Sequence, residues 1–98
     1  AQKAYGEPKY NCWDPMQMPY FAERDGIMVC FVNPRANAFS GIKIKDITAG
    51  VQVASIMSVS SGATVSGSFP VVAMHEYRVD GAWNVSSIQS HYYPLLAD

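Results

Sequence analysis

Gly41-Ile42-Lys43-Ile44-Lys45-Asp46-Ile47 decides the fold class. Apolar Ile42 and Ile44 alternate with charged Lys43 and Lys45. Successive side chains of a strand point to opposite faces of a sheet, so this period of two means one buried face and one wet face. Downstream the β pattern continues. Ala49-Gly50 reads as a turn, Val51 to Val59 as a strand, and Ser60-Ser61-Gly62 as a break. Ala63 to Val79 reads as one long strand, bent or bulged at Gly67 and Pro70. Asp80-Gly81 is a hairpin signal because both residues accept positive φ cheaply, and Ala82 to Tyr93 is then the returning strand, ended by Pro94.

Upstream, Ile27 to Val32 is a continuous apolar run of β formers, the mark of a buried strand that Asn33-Pro34 terminates. Asp25-Gly26 before it is another type I′ turn signal, with Tyr20 to Arg24 either the hairpin partner or one turn of helix. Residues 1–19 read as irregular, since Pro8, Pro15 and Pro19 interrupt any helix and Gly6 adds freedom, while Tyr5, Tyr10 and Trp13 make this arm one that packs on the body. The expectation is a mainly β single domain over 1–98, an irregular packed arm at 1–19 and a β body at 20–98. Its antiparallel strands, five or six in number, form a single sheet, a sandwich or a partial barrel, with at most short helices before residue 40.

The chain is 98 residues long and 49% hydrophobic, enough for one core. Seven basic and eight acidic residues give a net charge of −1, so there is no cationic excess for phosphates, and neither nucleic acid nor a membrane surface is an expected partner. The longest uncharged stretch, Ile47 to Met74, is too rich in serine to cross a bilayer. Cys12 and Cys30 are the only cysteines. They fit one disulfide, worth about 3 kcal/mol, in a secreted or extracytoplasmic protein, or two buried thiols in a reducing compartment.

The uncharged stretch has its own chemistry. Half-exposed strands usually carry Lys or Glu, partly to block edge pairing. Here the polar residues are Ser, Thr and Gln, which are cheap to desolvate. A solvated serine-rich sheet, association with a protein partner or a second copy as a homodimer, and the wall of a ligand cavity all fit. The expectation followed below is that 47–74 lies dry on both faces.

Ile44 to Ala54, followed by Ser66 to His91 with its Asp80-Gly81-Ala82-Trp83 turn, resembles the sheet half of the NTF2-like (SnoaL-like) superfamily, over residues 41–94. That resemblance implies a curved sheet, dimerisation through it, and an α+β cone enclosing a small-molecule pocket or serving as a scaffold. The first forty residues, with their prolines, depart from the helices that the family places there. Tyr10-Asn11-Cys12 also resembles the Tyr-x-Cys signature of small secreted ribonuclease-like fungal effectors, but there is no late cysteine to match.

The residue types that could line a pocket are His75, Tyr77 and His91. A two-residue turn at Asp80-Gly81 would place His75 opposite Ser86, Tyr77 opposite Asn84 and His91 opposite Pro70, and would turn Glu76 away from His75. Catalytic residues cannot be assigned from this pattern, and no cofactor is implied. Two Cys and two His lack metal-ligand spacing, and the five methionines are ordinary core filler, so no metal site is expected. Asn84-Val85-Ser86 is a formal glycosylation sequon inside an expected strand. Tyr92, Tyr93 and Leu95 form an apolar tail suited to core packing or to a partner surface. Together these features point to a small secreted binding module acting through an uncharged β surface. The alternatives are a pocket protein or enzyme of NTF2-like type and a non-catalytic ribonuclease-like effector.

Overall fold

A computed structural model describes residues 4–35, 40–58 and 64–96. Among these residues the chain is all β, without a helix. Its strands are β1 (Lys9–Tyr10), β2 (Tyr20–Phe21), β3 (Gly26–Pro34), β4 (Ser40–Asp46), β5 (Val51–Ser58), β6 (Val65–Val71), β7 (Glu76–Trp83) and β8 (Val85–Pro94). They form two antiparallel sheets, ordered β1-β8-β3-β6 and β2-β7-β4-β5. The mainly β expectation holds, with two sheets and more strands than the five or six expected. The α+β cone has no counterpart among the described residues.

Period-two burial builds the core. In β3, Met28, Cys30 and Val32 are buried, and their register partners Tyr92, Ser90 and Ile88 in β8 are buried with them. From the facing sheet Ile42, Ile44, Ile56 and Tyr77 close the same cluster, as the alternation at 41–47 predicts. Each large apolar side chain so buried contributes about 1.5–3 kcal/mol. The arm packs through Trp13, only 4% exposed, whose Nε1–H donates to the Met18 carbonyl (2.8 Å) and whose ring lies 5.6 Å from that of Tyr20.

Both expected hairpins are absent, for a reason local turn chemistry does not carry. β2 and β3 belong to different sheets, as do β7 and β8. Asp80 and Gly81 lie within β7, where Ala82 faces Ile42 and Val79 faces Ile44, so two residues oppose the single Lys43. That is a β-bulge, and Gly81 supplies its φ of 143°. The crossing to the other sheet comes at Asn84, at φ 50°. The residue pairs expected across the turn therefore do not form: His91 pairs with Val29 and Tyr10, and Tyr77 with Asp46 and Tyr20. Ala63 to Val79 is likewise not one strand, since β6 ends at Val71 and β7 begins at Glu76 in the other sheet. The break expected at Ser60-Ser61-Gly62 lies outside the described residues. The turn at Ala49-Gly50 does join β4 to β5, with Gly50 at φ 75°.

The uncharged ribbon is split by the same topology. β5 is an edge of one sheet and β6 an edge of the other. Val51, Gln52, Ser55, Ser66, Ser68 and Pro70 are exposed, so the expectation of dryness on both faces fails: inward residues such as Ile56, Phe69 and Val71 are dry, and the outward ones are wet. These edges carry protection other than charge. β5 has a bulge at Val53, because Ile44 faces Ala54 while Lys45 faces Gln52, and β6 contains Pro70, which has no N–H to offer a neighbour.

Candidate functional site: an uncharged sheet face and an anchored turn

Charge divides between the long strands of the two sheets, Lys9 of the two-residue β1 standing apart. The sequences of β3, β6 and β8 contain no Lys, Arg, Asp or Glu. Those of β4 and β7 hold Lys43, Lys45, Asp46, Glu76, Arg78 and Asp80. On the outer face of the charged sheet Arg78 pairs with Glu76, stands opposite Lys45, and Lys43 lies 5.6 Å from the Trp83 ring centroid. The outer face of the other sheet is a different surface. Ile27, Val29 and Phe31 run down its centre, half-buried, with Tyr93, His91 and Gln89 beside them on β8 and Pro70, Ser68 and Ser66 on β6.

His91 organises one side of this face. Its ring meets Tyr10 edge-on at 5.0 Å and Phe31 at 5.5 Å, and its Nδ1 accepts the Asn11 N–H (3.1 Å). That bond fixes the ring's orientation, and Tyr10, 64% exposed, completes an aromatic shelf.

At one end of the molecule stands the turn between β6 and β7, residues 72–75. The Val72 N–H donates to the Tyr77 hydroxyl (2.7 Å), Ala73 N–H to Asp25 Oδ1 (2.8 Å), Met74 N–H to the Ala22 carbonyl (2.8 Å) and His75 N–H to the Val72 carbonyl (3.1 Å). His75 Nδ1 is 2.8 Å from Asp46 Oδ2, while Asp46 Oδ1 accepts the Ala49 N–H (2.9 Å). Asp46 is 3% exposed. Burial alone raises its carboxyl, but His75, the Ala49 N–H and Tyr77 outweigh that and hold it below its ordinary value. Tyr77 is pushed up, chiefly by burial and with the nearby Asp46 adding to it. So fixed, the turn holds Met74 at φ 68°, a left-handed conformation rare for a residue with a long side chain, and leaves it 75% exposed.

The three pocket residues expected from the sequence do not converge. Tyr77 is buried between the sheets, His75 is tied to Asp46, and His91 lies on the outside of the opposite sheet. Of the apolar tail, Tyr92 is fully buried and its O–H donates to the Arg24 carbonyl, so it is core and not surface. Tyr93 lies on the uncharged face, and Leu95 lines a groove at its end. Asn84 is exposed at the strand crossing, not inside a strand. Asp46, Asp25 and Met74 were not legible as a unit, since the three lie far apart in sequence and no local motif joins them.

The expected Cys12–Cys30 disulfide is not formed; both thiols are free. Cys30 lies opposite Ser90 of β8, with its Sγ 3.4 Å from Ser90 Oγ, and Cys12 flanks β8 on the other side, its N–H bonded to the Ser90 carbonyl (3.2 Å). A whole strand thus separates them. Two strand spacings amount to about 10 Å, beyond the reach of a disulfide. Burial pushes the Cys30 thiol up to about 11 and raises that of Cys12 as well. Among the described residues no three His, Cys, Asp or Glu side chains gather as metal ligands would.

No family model matches the chain, and neither does any curated protein or solved structure.

Proposed function

We propose that the chain is a protein-binding module and that the outer face of the β1-β8-β3-β6 sheet is its contact surface. One observation carries this reading: the long strands of one sheet are free of charge while the charges cluster on the other. A solvated face has no need of Val29 and Phe31 at its centre or of an aromatic shelf at its side. An interface core does, because depletion of charge and enrichment in Tyr and Phe distinguish it from other surface.

Val29→Lys tests it. Val29 points outward and is half-buried, so the variant keeps the fold, in contrast to Met28→Lys, which puts an ammonium into the core. Immobilised wild-type chain is expected to retain a partner from its native extract, identified by mass spectrometry, that Val29→Lys loses and Lys43→Ala, on the opposite face, keeps. Equal retention by Val29→Lys and wild type would refute the assignment of this face.

A further inference from the structure

We infer that the end of the sandwich formed by the turns at 46–50 and 72–75 is a lipid-docking tip that sinks shallowly into a bilayer of zwitterionic headgroups. Seven of the eleven large hydrophobic side chains exposed among the described residues gather at this end. Phe21 stands opposite Glu76, the first residue of β7, and Ile47 donates its N–H to the Glu76 carbonyl (2.8 Å). Val51 stands opposite Asp46, the last residue of β4, and Val72 and Met74 lie in the turn that leads into Glu76. Tyr5 bridges to Leu95, whose N–H reaches the Asp25 carbonyl just before β3, and Leu96 follows. The other four lie elsewhere: Tyr10, Met16 and Met18 on the arm, and Trp83 opposite Gly41 at the far end. Chance scatter does not put apolar side chains on the turns of one end. Met74 is the most exposed of them and is held at φ 68°, where glycine would be free of strain but would present nothing apolar.

The backbone at this end is prepared for a medium without water. Exposed turns can leave their N–H groups to solvent, but hydrocarbon offers no acceptor, so a segment entering it must bring its own. All four N–H groups of 72–75 have acceptors within the protein: the Tyr77 hydroxyl, Asp25 Oδ1 and the Ala22 and Val72 carbonyls. In the other turn the N–H groups of Ile47, Ala49 and Gly50 reach the Glu76 carbonyl, Asp46 Oδ1 and the Asp46 carbonyl. The one carboxylate between the turns, Asp46, is 3% exposed and tied to His75. Side-chain chemistry separates lipid from protein as the occupant. Hot spots of protein interfaces favour Tyr, Trp and Arg and make little use of Leu and Val, whereas Ile47, Val51, Val72, Met74 and Leu96 are aliphatic or thioether groups that mix with acyl chains. The charges around the tip carry both signs: Glu23, Arg24 and Asp25 are exposed in the connection before β3, and Lys45 and Glu76 flank the Ile47 turn. Arg24 suits a phosphate and Asp25 a quaternary ammonium, so a headgroup bearing both complements this rim, and no cationic excess is needed. The tip lies at the strand ends, so the uncharged face runs away from the bilayer along β3 and stays open to a protein.

Flotation of the intact chain with phosphatidylcholine vesicles through a density gradient tests the inference. Wild type is expected to float with the lipid, equally at low and high salt, because the attraction is apolar. Met74→Asn and Ile47→Ser, on separate turns, are each expected to bind about tenfold more weakly. Both positions are exposed and asparagine tolerates positive φ, so melting temperatures near that of wild type are expected; either variant decides alone if the other folds poorly. Val29→Lys, on the uncharged face, is expected to float as wild type does. A wild type that stays in solution at every lipid concentration overturns the inference. So does flotation unchanged in both turn variants, or flotation that requires phosphatidylglycerol and fades with salt. Vesicles lost by Val29→Lys but kept by the turn variants would move the lipid to the sheet face and overturn the tip. A protein retained by wild type and lost by Met74→Asn, without flotation, would make the tip's occupant a protein. The Val29→Lys capture comparison is read without lipid, so the two assignments fail separately.

Discussion

Ile56 of β5 rests on the bare backbone of Gly67 in β6: a Cβ at position 67 would lie 2.7 Å from Ile56 Cγ1 and 3.1 Å from its Cδ1. β5 and β6 are edges of different sheets, so this contact is where the sandwich closes along its open side. Cγ1 sits close to the backbone on a β-branched side chain with few rotamers, so it cannot swing away as the tip of a longer residue would.

Gly67→Ala is therefore expected to destabilise the fold by about 1–3 kcal/mol, the usual result of overpacking a core. Ile56→Val removes the Cδ1 methyl and is expected to recover part of that loss when combined with Gly67→Ala, although alone it costs about 1 kcal/mol. Urea unfolding of the two single variants and the double variant measures the coupling. Strict additivity would mean that the two residues do not press on each other.

The Asp46–His75 pair predicts an acid-sensitive stability. The Asp46 carboxyl is held below its ordinary value of 3.8 in the fold, so it contributes stability that is fully present above that value. The contribution is lost as the pH falls through the lower, folded value. Asp46→Asn retains an acceptor for the Ala49 N–H but presents an amide to His75, and is expected to lose about 1.5–3 kcal/mol at neutral pH. Below the folded value the gap between variant and wild type should close. Thermal melts from neutrality to pH 2 check the sign, and a gap independent of pH would remove the Asp46 charge from the account.

Why the architecture was only half legible can be seen at particular residues. Ile42 and Ile44 against Lys43 and Lys45 announce their burial because alternation is a local property that packing obeys. Asp25-Gly26 and Asp80-Gly81 mislead because a dipeptide that permits positive φ says nothing about which sheet the next strand joins. Gly26 is small for a different reason: a Cβ there would lie 2.3 Å from the Tyr93 carbonyl oxygen. The uncharged face was visible only in part, since the longest uncharged stretch covers β6 but not β3 and β8. Its three uncharged strands come together through long-range pairing alone.

The thiols give a prediction with two steps. Cys30 is buried and its thiol is pushed up to about 11, so in the native protein at neutral pH it is expected to stay silent toward an aromatic disulfide reagent. Cys12 is half-buried with its thiol also raised, and is expected to react slowly. In denaturant both should react at once, without prior reduction. A protein that yields thiols only after reduction would mean that the disulfide forms after all.

Tyr77→Phe isolates the support beneath Met74. The Tyr77 ring packs against Phe69 at 5.9 Å between centroids, and phenylalanine keeps that contact. What it removes is the hydroxyl that accepts the Val72 N–H at 2.7 Å and faces Asp46. Leaving such a donor unpaired costs about 1–3 kcal/mol, but the loss is local, because the neighbouring N–H groups of Ala73 and Met74 keep their own acceptors, Asp25 and the Ala22 carbonyl. Hydrogen exchange should therefore speed up at Val72 well before it does at Met28 or Val32 in the core strand. Exchange at Val72 unchanged in the variant would mean that the Tyr77 hydroxyl does not hold that N–H.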